Sequence, residues 1–193
     1  LHVPVGIQQL SENVVEIKDP EILPVGRPVY FIRGVCNAPE GTRLGGLLQT
    51  DFMRGEEVQC VCIMQGRDIP YPANIVALSS HTKIKCIDQK RRITASMTTI
   101  SGQLRAAWLQ CTSIAASVKP DTDEEPGRYS FEEIADAAME CVRAGGLGRA
   151  LLGPRLLQVF YPTSSEERMR FLDAAIAADD MAIFREMRQQ KSG

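Results

Sequence analysis

Histidine is scarce in this sequence: His2 and His81 are the only two among 193 residues. Catalysis by a histidine base is thereby nearly excluded. His2 lies in a proline-rich opening segment, and His81, between Ser80 and Thr82, has no G-x-S-x-G elbow or comparable nucleophile signature beside it. Aromatic residues make up only 6% of the chain, with a single tryptophan, which leaves few rings for stacking nucleic-acid bases. Charge of one sign is also lacking. The formal net charge of −2 gives no general attraction to nucleic acid or anionic lipid, so any electrostatic role must come from local segregation. No apolar run approaches the roughly 20 residues that span a bilayer, and there is neither a solenoid repeat nor a low-complexity tract.

Metal and phosphate motifs are missing as well. The six cysteines (Cys36, Cys60, Cys62, Cys86, Cys111, Cys141) offer one close pair, Cys60-x-Cys62, and no second pair at zinc-ligand spacing. They read as reduced, buried hydrophobes of an intracellular protein. Gly146-x-Gly148 starts like a dinucleotide fingerprint, but Leu151 stands where a third small residue belongs, and the cluster follows a helical pattern rather than a strand. It reads as a connector. No catalytic residue, metal site or small-molecule cofactor is expected. The sequence opens on Leu1 rather than Met, which implies numbering that starts inside a longer chain.

What is present is a change of period along the chain. Residues 1–28 carry Pro4, Pro20, Pro24 and Pro28 around one strand candidate, Asn13 to Ile17, and read as an extended arm. Strands are predicted at Val29 to Cys36, Leu44 to Met53 and Val58 to Gln65, the last with Val58, Cys60, Cys62 and Met64 on one face. Lys83 to Ile87 and Ile93 to Ile100 alternate around a turn at Asp88 to Arg91 and predict a hairpin. Its apolar face holds Ile84, Cys86, Ile93, Ala95 and Met97, while Lys83 and Lys85 project to the other side.

From Gln103 to Ser117 the spacing of Leu104, Ala107, Trp108 and Cys111 turns helical. Lys119 to Gly127 is an acidic, proline-bounded linker. Ser130 and Glu133 then form a capping-box pair, with Tyr129 and Ile134 at the staple positions. Phe131, Ile134, Ala138, Cys141 and Val142 make a stripe that ends at Gly145 and Gly146. A further helix opens at Thr163 to Glu166, with an interruption expected at Asp179 and Asp180.

These elements predict an α+β fold: an antiparallel β-rich part over about residues 29–100, packed with a helical C-terminal part. In domain terms, the arm 1–28 precedes a β-rich core 29–118. The linker 119–127 then leads to a helical region 128–193 that forms one domain with the core.

Charge segregation is the remaining functional signal. Lys83, Lys85, Lys90, Arg91, Arg92 and Arg105 face the lone acid Asp88, whereas seven acids between Asp121 and Asp136 face the lone base Arg128. The basic hairpin is the expected anionic-surface site. Asp121, Asp123, Glu124 and Glu125 form its expected acidic partner segment in a neighbouring copy. A solvated edge strand is the plainer alternative.

The reading that follows is a non-enzymatic assembly protein, of viral matrix or capsid type, that self-associates head to tail. It would bind RNA non-specifically or sit peripherally at an inner membrane face. A small RNA-binding or host-protein-binding regulatory module is the alternative, followed by an enzyme with a Cys or His81 site.

Overall fold

The computed structural model describes residues 7–9, 14–17, 29–32, 34–36, 44–53, 55–66, 68–120 and 126–189. The chain divides into two compact units, Leu1–Thr99 and Ile100–Gly193. The expected α+β class holds, with sheet in the first unit and helices in the second.

In the first unit, β1 (Ile7–Gln9) runs parallel to β4 (Gly34–Cys36), which pairs antiparallel with β5 (Phe52–Met53). β2 (Val14–Ile17) and β3 (Val29–Ile32) form a separate antiparallel pair. The sheet that matters most is β6 (Ala73–Ala77), β7 (Thr82–Ile87) and β8 (Ile93–Thr99), antiparallel throughout. The β7–β8 hairpin is the predicted one. Its turn is closed by Asp88, whose Oδ1 accepts from the backbone N–H groups of Lys90 and Arg92, and Arg91 takes the left-handed conformation there at φ 59°.

Two predicted strands are different elements. Val58 to Gln65 lies in a helix, α1 (Glu56–Gly66). Cys60 is buried against Ile75 and Ile87, with Met64 one helical turn on, while Val58, Cys62 and Ile63 are exposed. A short run that is apolar on nearly every side satisfies both periods, and here the Cys60/Met64 spacing is the one that packs. The cysteine pair therefore does not share a face. Leu44 to Met53 is likewise not one strand: residues Leu44–Gln49 form a 3₁₀ turn before β5, with Leu44, Leu47 and Leu48 exposed.

The second unit is helical: α2 (Ser101–Cys111), a 3₁₀ segment Ser113–Val118, α3 (Phe131–Ala150), α4 (Gly153–Phe160) and α5 (Ser165–Gln189). Trp108, Ala115, Val118, Leu172 and Ile176 form one buried cluster, and Ile134, Ala138, Ala150, Phe171 and Ala175 form another. The buried indole is satisfied, since Trp108 Nε1–H donates to the Leu151 carbonyl at 3.1 Å.

The predicted capping box is made. Ser130 Oγ accepts from Glu133 N–H, Glu133 Oε2 accepts from Ser130 N–H, and Tyr129 packs on the cluster that holds Ile134. Phe131, expected on the apolar stripe, is instead 60% exposed. The glycine cluster breaks α3 at Gly146, where φ is 75° and ψ 169°, a region open essentially to glycine alone. α5 begins one residue later than expected, with Ser164 and Glu167 as its capping pair, and it continues through Asp179 and Asp180 without interruption.

Candidate active site

On β7 and β8, Lys83 lies opposite Thr98 and Lys85 opposite Ser96, so these four side chains share one face of the hairpin. That polar face is covered. Lys85 and Ser96 are fully buried, Lys83 nearly so, and two acids from the preceding chain close over them. Asp51 Oδ2 accepts hydrogen bonds from Ser96 Oγ at 2.9 Å and from Thr98 Oγ1 at 3.2 Å. Glu56, at the start of α1, pairs through Oε1 with Lys83 Nζ at 2.8 Å, and its backbone carbonyl accepts from Lys85 Nζ, also at 2.8 Å. Asp51, Glu56, Lys83, Lys85, Ser96 and Thr98 thus form one polar cluster against a sheet. Burying charge at this density requires each ion to be matched, and the arrangement does so.

This placement corrects the sequence expectation for the basic hairpin. Lys83 and Lys85 are not a solvated cationic face, because α1 and its leading segment cover the side of the strand that alternation assigned to solvent. The other basic residues are dispersed. Lys90 is exposed at the hairpin turn, Arg92 pairs there with Asp88, and Arg91 lies 5.2 Å from the ring centre of Tyr71. The backbone N–H of Arg92, its side chain and the backbone N–H of Lys90 hold the Asp88 carboxyl below its ordinary value. Arg105 belongs to the helical unit, where it makes a two-pronged contact to Asp173 that holds its guanidinium charged. Asp121, Asp123, Glu124 and Glu125 lie outside the described residues.

The residues that sequence reasoning missed are Asp51, Glu56, Ser96 and Thr98. A Lys-x-Lys column facing a Ser-x-Thr column marked a polar face, but nothing local showed that acids would close it. Neither alternative nucleophile gains support. Burial pushes the Cys60 thiol above its ordinary value, against the opposing pull of Lys85, as befits a core cysteine. His81 sits half-buried at the foot of β7, where its carbonyl accepts from Ser79 Oγ. Among the described residues no three His, Cys, Asp or Glu side chains gather as a metal site.

The second unit holds a pocket of about 380 Å³ among α3, α4 and α5, walled chiefly by Ile134, Leu156, Leu157, Tyr161 and Phe171. Its only charged lining residue is Glu133, whose carboxylate is already engaged in the capping box. That lining suits an apolar body rather than a phosphate or a sugar acid.

The family model for 2-keto-3-deoxy-galactonokinase matches residues 1–192. Among solved structures, the fold is similar to that of a Sinorhizobium meliloti protein whose proposed activity is that of a 2-dehydro-3-deoxygalactonokinase, with a TM-score of 0.63 and 15% sequence identity. The similarity covers 92% of this chain and 56% of that one, so the chain spans just over half the length of this structural relative. No curated protein matches the sequence.

These findings overturn the non-enzymatic assembly reading. A viral matrix or capsid role, head-to-tail self-association, and membrane or RNA partners all rested on a basic hairpin whose Lys83 and Lys85 the structure buries, and the match to a family of kinases contradicts them. Among the described residues no helix is long and apolar enough to cross a membrane. With the match running over residues 1–192, the chain belongs to the 2-keto-3-deoxy-galactonokinase family.

Proposed function

We propose that the protein is a kinase that transfers a phosphoryl group from a nucleoside triphosphate to a hydroxyl of 2-keto-3-deoxygalactonate. The observation that carries this reading is the family match over residues 1–192. In such a transfer the O–H bond of the acceptor opens as its oxygen bonds to phosphorus, a carboxylate takes the proton, and the nucleoside diphosphate leaves. Asp51 is the residue assigned as proton acceptor. Ser96 and Thr98 both donate to its Oδ2, which orients the carboxylate, and no described residue engages Oδ1.

Kinases ordinarily work with a divalent ion carried largely by substrate phosphates and water. Asp51 and Glu56 are committed to hydroxyls and lysines, and the described residues make no ready cage, so such an ion would be held by the substrate phosphates and water. The test is to incubate the full chain with ATP and 2-keto-3-deoxygalactonate and follow phosphorylated product by ³¹P NMR. Equal amounts of phosphorylated acid and ADP are expected, with a loss of about 10²- to 10⁴-fold in Asp51→Asn. ADP release that does not depend on the sugar acid, or no transfer at all, overturns the reading.

A further inference from the structure

The geometry points to a docking groove for a short, basic, amphipathic helix of another protein, laid in the trough between α3 and α4 of the helical unit. The groove stands independently of the kinase reading.

α3 and α4 each pack along α5 and scarcely touch one another, so the pocket of about 380 Å³ is a gap between two helices over a third. Phe171 of α5 is buried at its floor, so close to Gly153 that a Cβ there would stand 2.1 Å from the ring. Glu133, Ala137 and Cys141 follow one another at four-residue spacing along the α3 wall, and Gly153, Leu156 and Leu157 share the α4 wall. Phe160 lies on that same α4 face one turn further on and is 72% exposed, which carries the apolar surface past the pocket.

A trough between two helices is filled by a further helix, which brings its own backbone hydrogen bonds satisfied and completes a bundle. α4 has eight residues, so it is about 12 Å long and matches two to three turns of such a helix. The charge of the margin selects the kind. No basic side chain lines the trough, while Glu133, Asp136 and Glu140 recur along the exposed edge of α3 at three- and four-residue spacing. Glu140 is paired with Arg143 and Glu133 spends Oε2 on the capping box, but Asp136 has no partner among the described residues. A helix with Leu-type side chains on one face and Lys or Arg beside them fills the floor and meets those carboxylates. An acidic helix, a nucleic acid or an anionic membrane is repelled by the same groups.

The probe is a synthetic peptide of about fourteen residues with Leu at i, i+3, i+4 and i+7 and Lys at the flanking positions, added to the full chain. A second peptide carries Glu in place of every Lys. The Lys form is expected to shift the amide NMR signals of Ala137, Cys141, Leu157 and Tyr161, to bind at least about tenfold more tightly than the Glu form, and to weaken as salt is raised. Ala137→Arg, an exposed helical position given a good helix former, obstructs the trough and is expected to weaken the Lys form about tenfold or more. Asp136→Lys should weaken the Lys form and strengthen the Glu form, each by about threefold or more. If Ala137→Arg does not fold, this exchange of preference at a solvent-facing position carries the test.

Failure of the Lys form to bind, equal binding of the two peptides, shifts centred outside the groove, or indifference to both substitutions overturns the proposal. Signals of Ala137 and Tyr161 that move with protein concentration alone would assign the groove to a second copy and overturn it as well.

Discussion

Lys83 and Glu56 meet at 2.8 Å with unequal access to water: the lysine side chain is 6% exposed and the glutamate 28%. Their loss should therefore be unequal. Glu56→Ala leaves an ammonium with little water to replace its partner and is expected to cost about 2–4 kcal/mol, whereas Lys83→Met leaves a carboxylate that can hydrate and costs about 1–2 kcal/mol. The double variant should lose less than the sum. Urea unfolding of the three variants measures this, and equal single losses that add would show that the pair is not coupled.

Gly153 and Gly146 lie in the same connector and should fail for different reasons. A Cβ at Gly153 would stand 2.1 Å from Cε1 of the buried Phe171 ring, so Gly153→Ala is expected to cost about 1–3 kcal/mol through overpacking. Nothing lies within 4 Å of the corresponding place at Gly146, so Gly146→Ala costs about 1–3 kcal/mol through backbone strain alone. Phe171→Leu, which shortens the ring, should recover part of the first loss and none of the second. Thermal unfolding of the two pairs distinguishes these outcomes.

Glu167 should make stability fall at acid pH. Burial would raise its carboxyl, but the N–H groups of Tyr129 and Ser164, the Ser164 hydroxyl and the N–H of Arg128 together hold it below the ordinary 4.5. A carboxyl lowered in the folded state stabilises above 4.5, and that contribution disappears as pH falls from there through the lower folded value. Glu167→Gln is expected to lose about 1–3 kcal/mol at pH 7 and to approach the parent at the acid end. A gap that stays constant across a pH series of denaturant unfolding would disprove this.

Asp179 has the opposite sign. Burial, and then the adjacent Asp180, hold its carboxyl above the ordinary 3.8. Its ionised form is disfavoured in the folded state, so the penalty is absent below the unfolded value and grows as pH rises through the folded one. Asp179→Asn is expected to raise the melting temperature at pH 7 and to lose that advantage as pH falls into the carboxyl range. A variant no more stable than the parent at pH 7 would count against it.

Local chemistry was legible where a residue's partners are its near neighbours. The Ser130–Glu133 box, the Tyr129/Ile134 staple and the β7–β8 hairpin are closed by groups within a few residues, and sequence pattern alone determined them, as it did the order of sheet before helix. Even here one choice lay beyond it. Thr163 with Glu166 and Ser164 with Glu167 have the same three-residue spacing, and the contact from Tyr129 N–H to the other oxygen of Glu167 favours the serine pair that forms.

The candidate site was hidden for a physical reason. Alternation along β7 established that Lys83 and Lys85 differ from Ile84 and Cys86 in the face they occupy, but a period of two cannot say which face meets water. Tertiary structure decided that, by making Val58 to Gln65 a helix and bringing Asp51 and Glu56 over the lysines. Charge read as exposed became charge that is matched and buried, because the desolvation of two ammonium groups is met by the carboxylate and the carbonyl of Glu56 at the start of α1.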